Sequence, residues 1–317
     1  MIVAFIDQMC GKGFAVESVC NILGEQGLQI AARTYRAQSS GRVSARTISD
    51  AQVEDAIRQL AWRVINGRRR RAPEGLYGRA KMTALLRRSM PAVTPGAVDR
   101  AMRSLGLQGV RRGKAARTTV PAKGAARAPD LLNRDFHAGA PNTKWVSDFT
   151  YVRTWSGFCY VAFVVDCFAQ KIVGWYAASA MTTDLVMSAL RLALWERDAE
   201  GHPVVAGDLI AHSDAGSQYT SIRYTDRLAA EGISPSIGSV GDAYDNALME
   251  SINGVYKAEC IRTEVFHDGP LKALSDVESA TGEWVSWYNH ERLHGVLEMR
   301  TPTEVENAYY TGLTTTR

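Results

Sequence analysis

The chain has no stretch approaching ~18 residues without charged or polar interruption, which excludes a membrane-spanning helix. Its five cysteines (Cys10, Cys20, Cys159, Cys167 and Cys260) are odd in number, dispersed and never in a C-x-x-C pair. A zinc ribbon or a disulfide framework needs paired spacing, so these read as small buried side chains of a reducing compartment. The six histidines are scattered, with no His-Glu-x-x-His motif, and only His290 and His294 stand four apart. The short apolar start contains Asp7 and no basic lead, unlike a signal peptide. Sustained heptads are also missing. What is present, 46% hydrophobic and 22% charged residues over 317 positions, describes a globular chain of two domains with room for a smaller third.

The formal charge of +4 conceals a division. Residues 1–130 hold 23 Lys+Arg against 9 Asp+Glu, a net of +14, whereas residues 131–317 hold 14 against 24, a net of −10. A basic front and an acidic back suggest a polyanion-binding module joined to one with clustered carboxylates, and nucleic acid is the first polyanion to consider.

Residues 14–26 carry Val16, Val19 and Leu23 at helical spacing, with Gly27 placed to stop the helix. A second short segment ends at the Ser/Gly break near residue 40. A longer helix is expected over about 50–65, interrupted by Arg68, Arg69, Arg70 and Arg71. Residues 78–89 and 96–105 form a two-helix pattern, the second started by Thr94 as N-cap and Pro95, with Arg100 and Arg103 exposed. This outline fits a helix-turn-helix, although an ordinary helical hairpin has the same pattern. Residues 109–130 are basic and rich in Ala, Gly and Pro, as in a linker tracking phosphate.

From residue 143 onward the pattern is of strands. Three hairpin-linked strands over 145–152, 158–168 and 171–177 precede a helix at 182–198 and a strand at 208–212. A helix at 221–231, a short strand at 233–237 and a helix at about 245–260 follow. This is the element order of the ribonuclease H-like α/β fold. The expected parts are an N-terminal helical segment (1–41), an all-α helix-turn-helix DNA-binding domain (42–112) and a basic linker (113–141). A ribonuclease H-like core (142–262) and a C-terminal helical extension (263–317) follow.

Asp148 lies mid-strand among apolar and β-branched residues, where an unpaired carboxylate is costly unless it faces a metal or an open edge. Asp214 directly follows a strand. Glu250 lies on the later helix, 35 residues intervening, and Lys257 stands seven positions, two helical turns, beyond it. Asn246 and Asn253 fall beside them on that face.

Asp, Asp, a 35-residue gap, Glu and a basic residue seven further on resemble the signature of retroviral-integrase-like DDE transposases. The phrases WVSDFTYV, YVAFVVDCFAQKIVGW, HSDAGSQYTS, GSVGDAYDNALMES and WYNHERLHGVLEMRTP are similar to the insertion-sequence-3 family, second-reading-frame type. The likeness runs from about Arg42 to Tyr310. It implies a DDE transposase that cuts and joins DNA strands with two Mg²⁺ ions (or Mn²⁺) about 3.5–4 Å apart. Asp148 would bridge both ions, Asp214 bind one and Glu250 the other. Lys257, with Asn246 and Asn253, would meet DNA. Arg68 to Arg71, Arg100, Arg103, Arg111, Arg112 and Lys114 would supply further DNA contacts, and Arg292 would combine DNA contact with packing.

The resemblance also implies DNA partners (terminal inverted repeats and target), a first-reading-frame product as fusion or companion, a homo-oligomer on DNA and a place at the cytoplasmic nucleoid. A non-catalytic DNA-binding regulator using only the front half is one competing reading; a structure-specific nuclease on the same fold is another, against which the 35-residue gap and the C-terminal phrase argue. Asp166 resembles a ligand but falls outside the triad, and His212, two residues before Asp214, reads as a flanking neighbour of the site. Asp242 and Asp245 read as loop and N-cap residues before Glu250. His290 and His294 have the spacing of a zinc pair, and equally of packing residues.

Overall fold

A computed structural model describes residues 1–41, 43–111, 129–132, 135–238 and 246–315. They divide into two compact units, Met1–Asp55 and Ala56–Arg317. In the first, α1 (Ile2–Gly11), α2 (Val16–Glu25) and α3 (Ala32–Ser39) close a small core of Ile6, Val19, Cys20 and Tyr35. The Tyr35 hydroxyl donates to Asp7 Oδ1 at 2.7 Å, so the polar end of that core is also satisfied. Gly27 has φ +84°, the left-handed conformation expected just past a helix end.

The helix expected over 50–65 is α4 (Ala45–Ala61), and it stops earlier than the apolar spacing suggests. Trp62 instead starts a hairpin of β1 (Trp62–Ile65) and β2 (Arg68–Arg71). Asn66 (φ 49°) and Gly67 (φ 73°) form its turn, both with the positive φ that a type I′ turn demands. The front region is therefore helical as expected, with one hairpin added, and the four arginines are a strand. After a 3₁₀ turn at Pro73–Leu76 come α5 (Arg79–Arg87) and α6 (Pro95–Ser104). Thr94 Oγ1 accepts from the Ala97 N–H and Pro95 opens α6, as the sequence predicts.

The core sheet has the order β5-β4-β3-β6-β7. Its strands are β3 (Lys144–Thr154), β4 (Gly157–Asp166), β5 (Lys171–Ala178), β6 (Ile210–Ser213) and β7 (Ser234–Ile237). The first three pair antiparallel, while β6 and β7 add in parallel beside β3. Helix α7 (Thr183–Ala199) joins β5 to β6 and α8 (Ile222–Ala230) joins β6 to β7. Then come α9 (Ala247–Tyr256), a π turn at Lys257–Ile261, α10 (Leu274–His290) and α11 (Pro302–Thr315). No helix among the described residues is long and apolar enough to cross a membrane.

Alternation along β4 explains the layers. Ala162 and Val164 join Leu185, Leu190 and Ala193 of α7 in one core. Phe163 points the other way, its ring 5.1 Å from Tyr256 and 6.0 Å from Trp284. Both faces of the strand are buried, so residues 161–166 read as one apolar run ending in Asp166. Helix α7 lies so close that a Cβ on Gly174 would sit 2.3 Å from the Ala189 carbonyl oxygen. Only glycine fits there.

A buried ionic cluster fastens α11 to this sheet. Arg197 of α7 reaches Asp166 at 2.8 Å and Glu306 at 2.6 Å, while Lys171 reaches Glu306 at 2.8 Å and Glu200 at 2.6 Å. Asp166 also accepts from the Asn142 N–H (2.7 Å) and Trp145 Nε1 (3.2 Å). Burial pushes the Asp166 carboxyl above its ordinary range, and Arg197 opposes that shift. Asp166 is thus a structural anion rather than a metal ligand.

Candidate active site

The last ladder pair between parallel strands β3 and β6 is Ser147↔Ser213. Asp148 and Asp214 each stand one residue beyond it, so the register sets two carboxylates side by side at the carboxyl end of the strand pair. Crevices for ligands form at such strand ends in open α/β sheets. Asp148 is half-buried. Its Oδ1 accepts from the Phe149 N–H at 2.8 Å and its Oδ2 from Asn253 Nδ2 at 2.9 Å. Burial, then the charge of Asp214 and that of Glu250, hold its carboxyl well above the usual range, against those two hydrogen bonds. Asp214 Oδ1 accepts from the Gly216 N–H at 3.0 Å. A Cβ on Gly216 would lie 2.9 Å from that oxygen, so the missing side chain lets backbone approach the carboxylate.

Glu250 lies in the first turn of α9 and is exposed. Its charge acts on Asp148, but among the described residues no three His, Cys, Asp or Glu side chains form a group able to hold a metal ion. The structure therefore brings Asp148 and Asp214 together and leaves Glu250 at the rim. Mg²⁺ binds through one or two carboxylates and keeps several waters, so the aspartate pair fits it without a closed cage. Asp242 and Asp245 lie outside the described residues.

Lys257 is half-buried at the start of the π turn, its Nζ 4.3 Å from the centroid of the Tyr151 ring. Burial and Arg262 lower its pKa, while Asp148 raises it. Tyr151 stands within the phrase WVSDFTYV, but a lone tyrosine has no chemistry that its spacing reveals, so sequence reasoning gave it no role. Tyr219 was missed for the same reason. Among the described residues its buried hydroxyl has no hydrogen-bond partner, and its ring stacks on Phe149 at 6.2 Å.

Several residues expected on DNA have other partners. Asn253 turns its amide to Asp148, and Asn246 donates to the Ser147 carbonyl at 3.4 Å, so both face β3. Arg292 is buried and bidentate on Glu259, at 2.8 and 2.7 Å, which makes it an internal tie. Arg70 donates to the carbonyls of Glu264 and His267 and pairs with Asp268. Arg71 caps the carbonyls of Gly75 and Gln108, and Arg69 lies 4.2 Å over Trp62. Arg68 and Arg111 are exposed, Arg100 is half-buried and Arg103 pairs with Asp99. Arg112 and Lys114 lie outside the described residues.

His212, His290 and His294 each meet protein partners. His212 is buried, with Nδ1 2.9 Å from Ser236 Oγ. Helix α10 ends at His290, so His294 does not share its face. His290 meets Thr303 at 3.0 Å, whereas buried His294 meets the Tyr288 carbonyl at 3.2 Å. Burial and Arg292 hold His294 well below its usual pKa, and it stays neutral.

Two family models of the integrase core domain match this chain, over residues 138–243 and 231–302. A transposase for insertion sequence element IS986/IS6110 of Mycobacterium tuberculosis is 44% identical over 283 residues, covering 89% of this chain and 97% of the relative. The transposase for IS629 of Shigella sonnei is 43% identical over 287 residues, 90% of this chain and 91% of its own. Transposase InsF for IS3A of Escherichia coli is 31% identical over 231 residues, with 73% and 77% covered. The chain belongs to the insertion-sequence-3 family of transposases built on an integrase core.

Proposed function

We propose that this chain is a DDE enzyme that cuts DNA strands at the ends of an insertion sequence and joins them to target DNA. The observation that carries the proposal is the Asp148–Asp214 pair, two carboxylates set together by strand register with the ionised form of Asp148 disfavoured. A cation site has that character. Asp148 would hold both ions, Asp214 one and Glu250 the other. Bound Mg²⁺, or Mn²⁺ in its place, would supply positive charge to activate the attacking oxygen and stabilise the leaving one.

The chain's own groups do the positioning. Asn253 fixes Asp148 and so fastens the Glu250 helix to β3. Lys257, aligned by Tyr151, offers a charge to the phosphate of the DNA end. Arg68, Arg100, Arg103 and Arg111 would meet DNA farther out, together with Arg112 and Lys114. In this reading residues 42–112 are the DNA-binding part, 113–141 the linker, 142–262 the catalytic core and 263–317 its extension. The terminal repeats and target are the DNA partners, with a first-frame product and further copies of the chain in a nucleoid-associated assembly. A regulator that only binds DNA would have no use for the paired aspartates.

Cleavage and joining of a labelled duplex carrying the repeats that border this gene tests the proposal. Asp148→Asn, Asp214→Asn and Glu250→Gln should each abolish both steps while DNA binding persists. Substantial activity in any of the three removes that residue from the triad.

A further inference from the structure

The tip of the β3–β4 hairpin lies on the strand that carries Asp148. Register pairs Tyr151 with Tyr160 and Arg153 with Phe158, and paired residues share a face of the sheet. Phe158 is 53% exposed and Trp155, at the turn, is 72% exposed. The Tyr151 ring meets Phe158 edge-on at 5.6 Å. Two of these rings carry a cation, with Lys257 Nζ 4.3 Å from the Tyr151 centroid and Lys272 Nζ 5.9 Å from that of Trp155. Arg153, paired with Phe158, is exposed.

The tip is also held in place. The Trp155 N–H donates to the Leu271 carbonyl at 3.1 Å and the Ser156 N–H to that of Lys272 at 3.0 Å. Thr154 Oγ1 closes the turn on the Gly157 carbonyl at 2.8 Å. Large apolar rings fixed in water are costly to leave uncovered, and their flat faces beside cations match the two parts of a nucleotide, base and phosphate. Tyr151 is about 10 Å along the strand from Asp148 and projects from the other face of the pleat, while Trp155 is about 23 Å away, at ~3.3 Å per residue.

We infer that this hairpin tip is a stacking platform for unpaired bases at the DNA end being processed, an inference that rests on the strand-cutting function proposed above. Tyr151, Trp155 and Phe158 take the bases, while Lys257, Lys272 and Arg153 take the phosphates. A paired duplex hides its base faces, so the platform acts where the end is frayed or tailed, and there unpairing costs least. It gives the enzyme a preference for open ends that Lys257 alone, a point charge, does not provide.

The full-length protein, its Asp148→Asn variant and a Trp155→Ala/Phe158→Ala double variant can be titrated without metal. The probes are a blunt duplex and the same duplex with a short unpaired tail containing 2-aminopurine. Wild type and Asp148→Asn should quench the tail's fluorescence and prefer the tailed duplex. The double variant should lose the quenching and about tenfold or more of that preference, with blunt-duplex affinity and Tm unchanged. Trp155→Tyr/Phe158→Tyr should restore both. Quenching and preference intact in the double variant would overturn the platform. So would a change confined to self-association of the DNA-free protein, which makes the surface a protein contact. Wild-type protein that binds the tail without quenching it overturns the platform alone. Failure to bind either duplex overturns the proposed function as well.

Discussion

Asn253 donates its side-chain amide to Asp148 at 2.9 Å, linking the helix that carries Glu250 to the strand that carries the first aspartate of the site. The contact crosses 105 residues of sequence and fixes one carboxylate oxygen while Phe149 holds the other.

Asn253→Ala should therefore lower strand cleavage about 10–100-fold, as loss of a group orienting a metal-binding carboxylate typically does. Tm should change little, since the residue is only half-buried. Parallel measurement of cleavage and thermal unfolding checks this. Unchanged cleavage with a large loss of Tm would make the contact purely structural.

Arg292→Ala should act through stability instead. Its partner Glu259 is nearly as buried, so removing the guanidinium strands a carboxylate and should cost about 3–5 kcal/mol. Arg292→Lys should recover part of it, because an ammonium cannot reproduce the bidentate contact. Denaturant unfolding measures the loss. A fully stable Arg292→Ala protein with weakened DNA binding would return the residue to the DNA surface.

Much of the core was legible because burial leaves a periodic trace. The alternation over β3 and the apolar run of β4 mark strands within a residue or two, Asp148 stands out as a charge among apolar residues, and Asp214 stands out as the carboxylate directly after a strand. Thr94-Pro95 and Gly27 marked helix ends correctly. The arginine run was misleading because a block of one charge has no period. Asn66-Gly67 beside it is a strong hairpin signal that the reading did not use. The partners of Arg70 lie about two hundred positions away, at Glu264 and His267, and no local pattern shows such pairing. Arg292 with Glu259 and Asn253 with Asp148 were hidden for the same reason.

Glu306 supplies a pH dependence. Burial pushes its carboxyl up, but hydrogen bonds and charges from Arg197 and Lys171 outweigh this and hold it below the ordinary range. A carboxyl depressed in the folded state contributes stability above its unfolded pKa, about 4.3, and loses it as pH falls through the folded value. Glu306→Gln should thus be destabilised by about 3–5 kcal/mol at neutral pH. The gap to wild type should narrow as the pH drops below the ordinary carboxylate range. A gap independent of pH would show that shape rather than charge holds α11.

Direct binding of Mn²⁺, followed by its paramagnetic resonance signal as free ion is taken up, tests the central claim that Asp148 and Asp214 form the cation site. Wild-type protein should bind, and both Asp148→Asn and Asp214→Asn should lose that binding while keeping their fold. Binding by Asp148→Asn as tight as that of wild type would contradict the account.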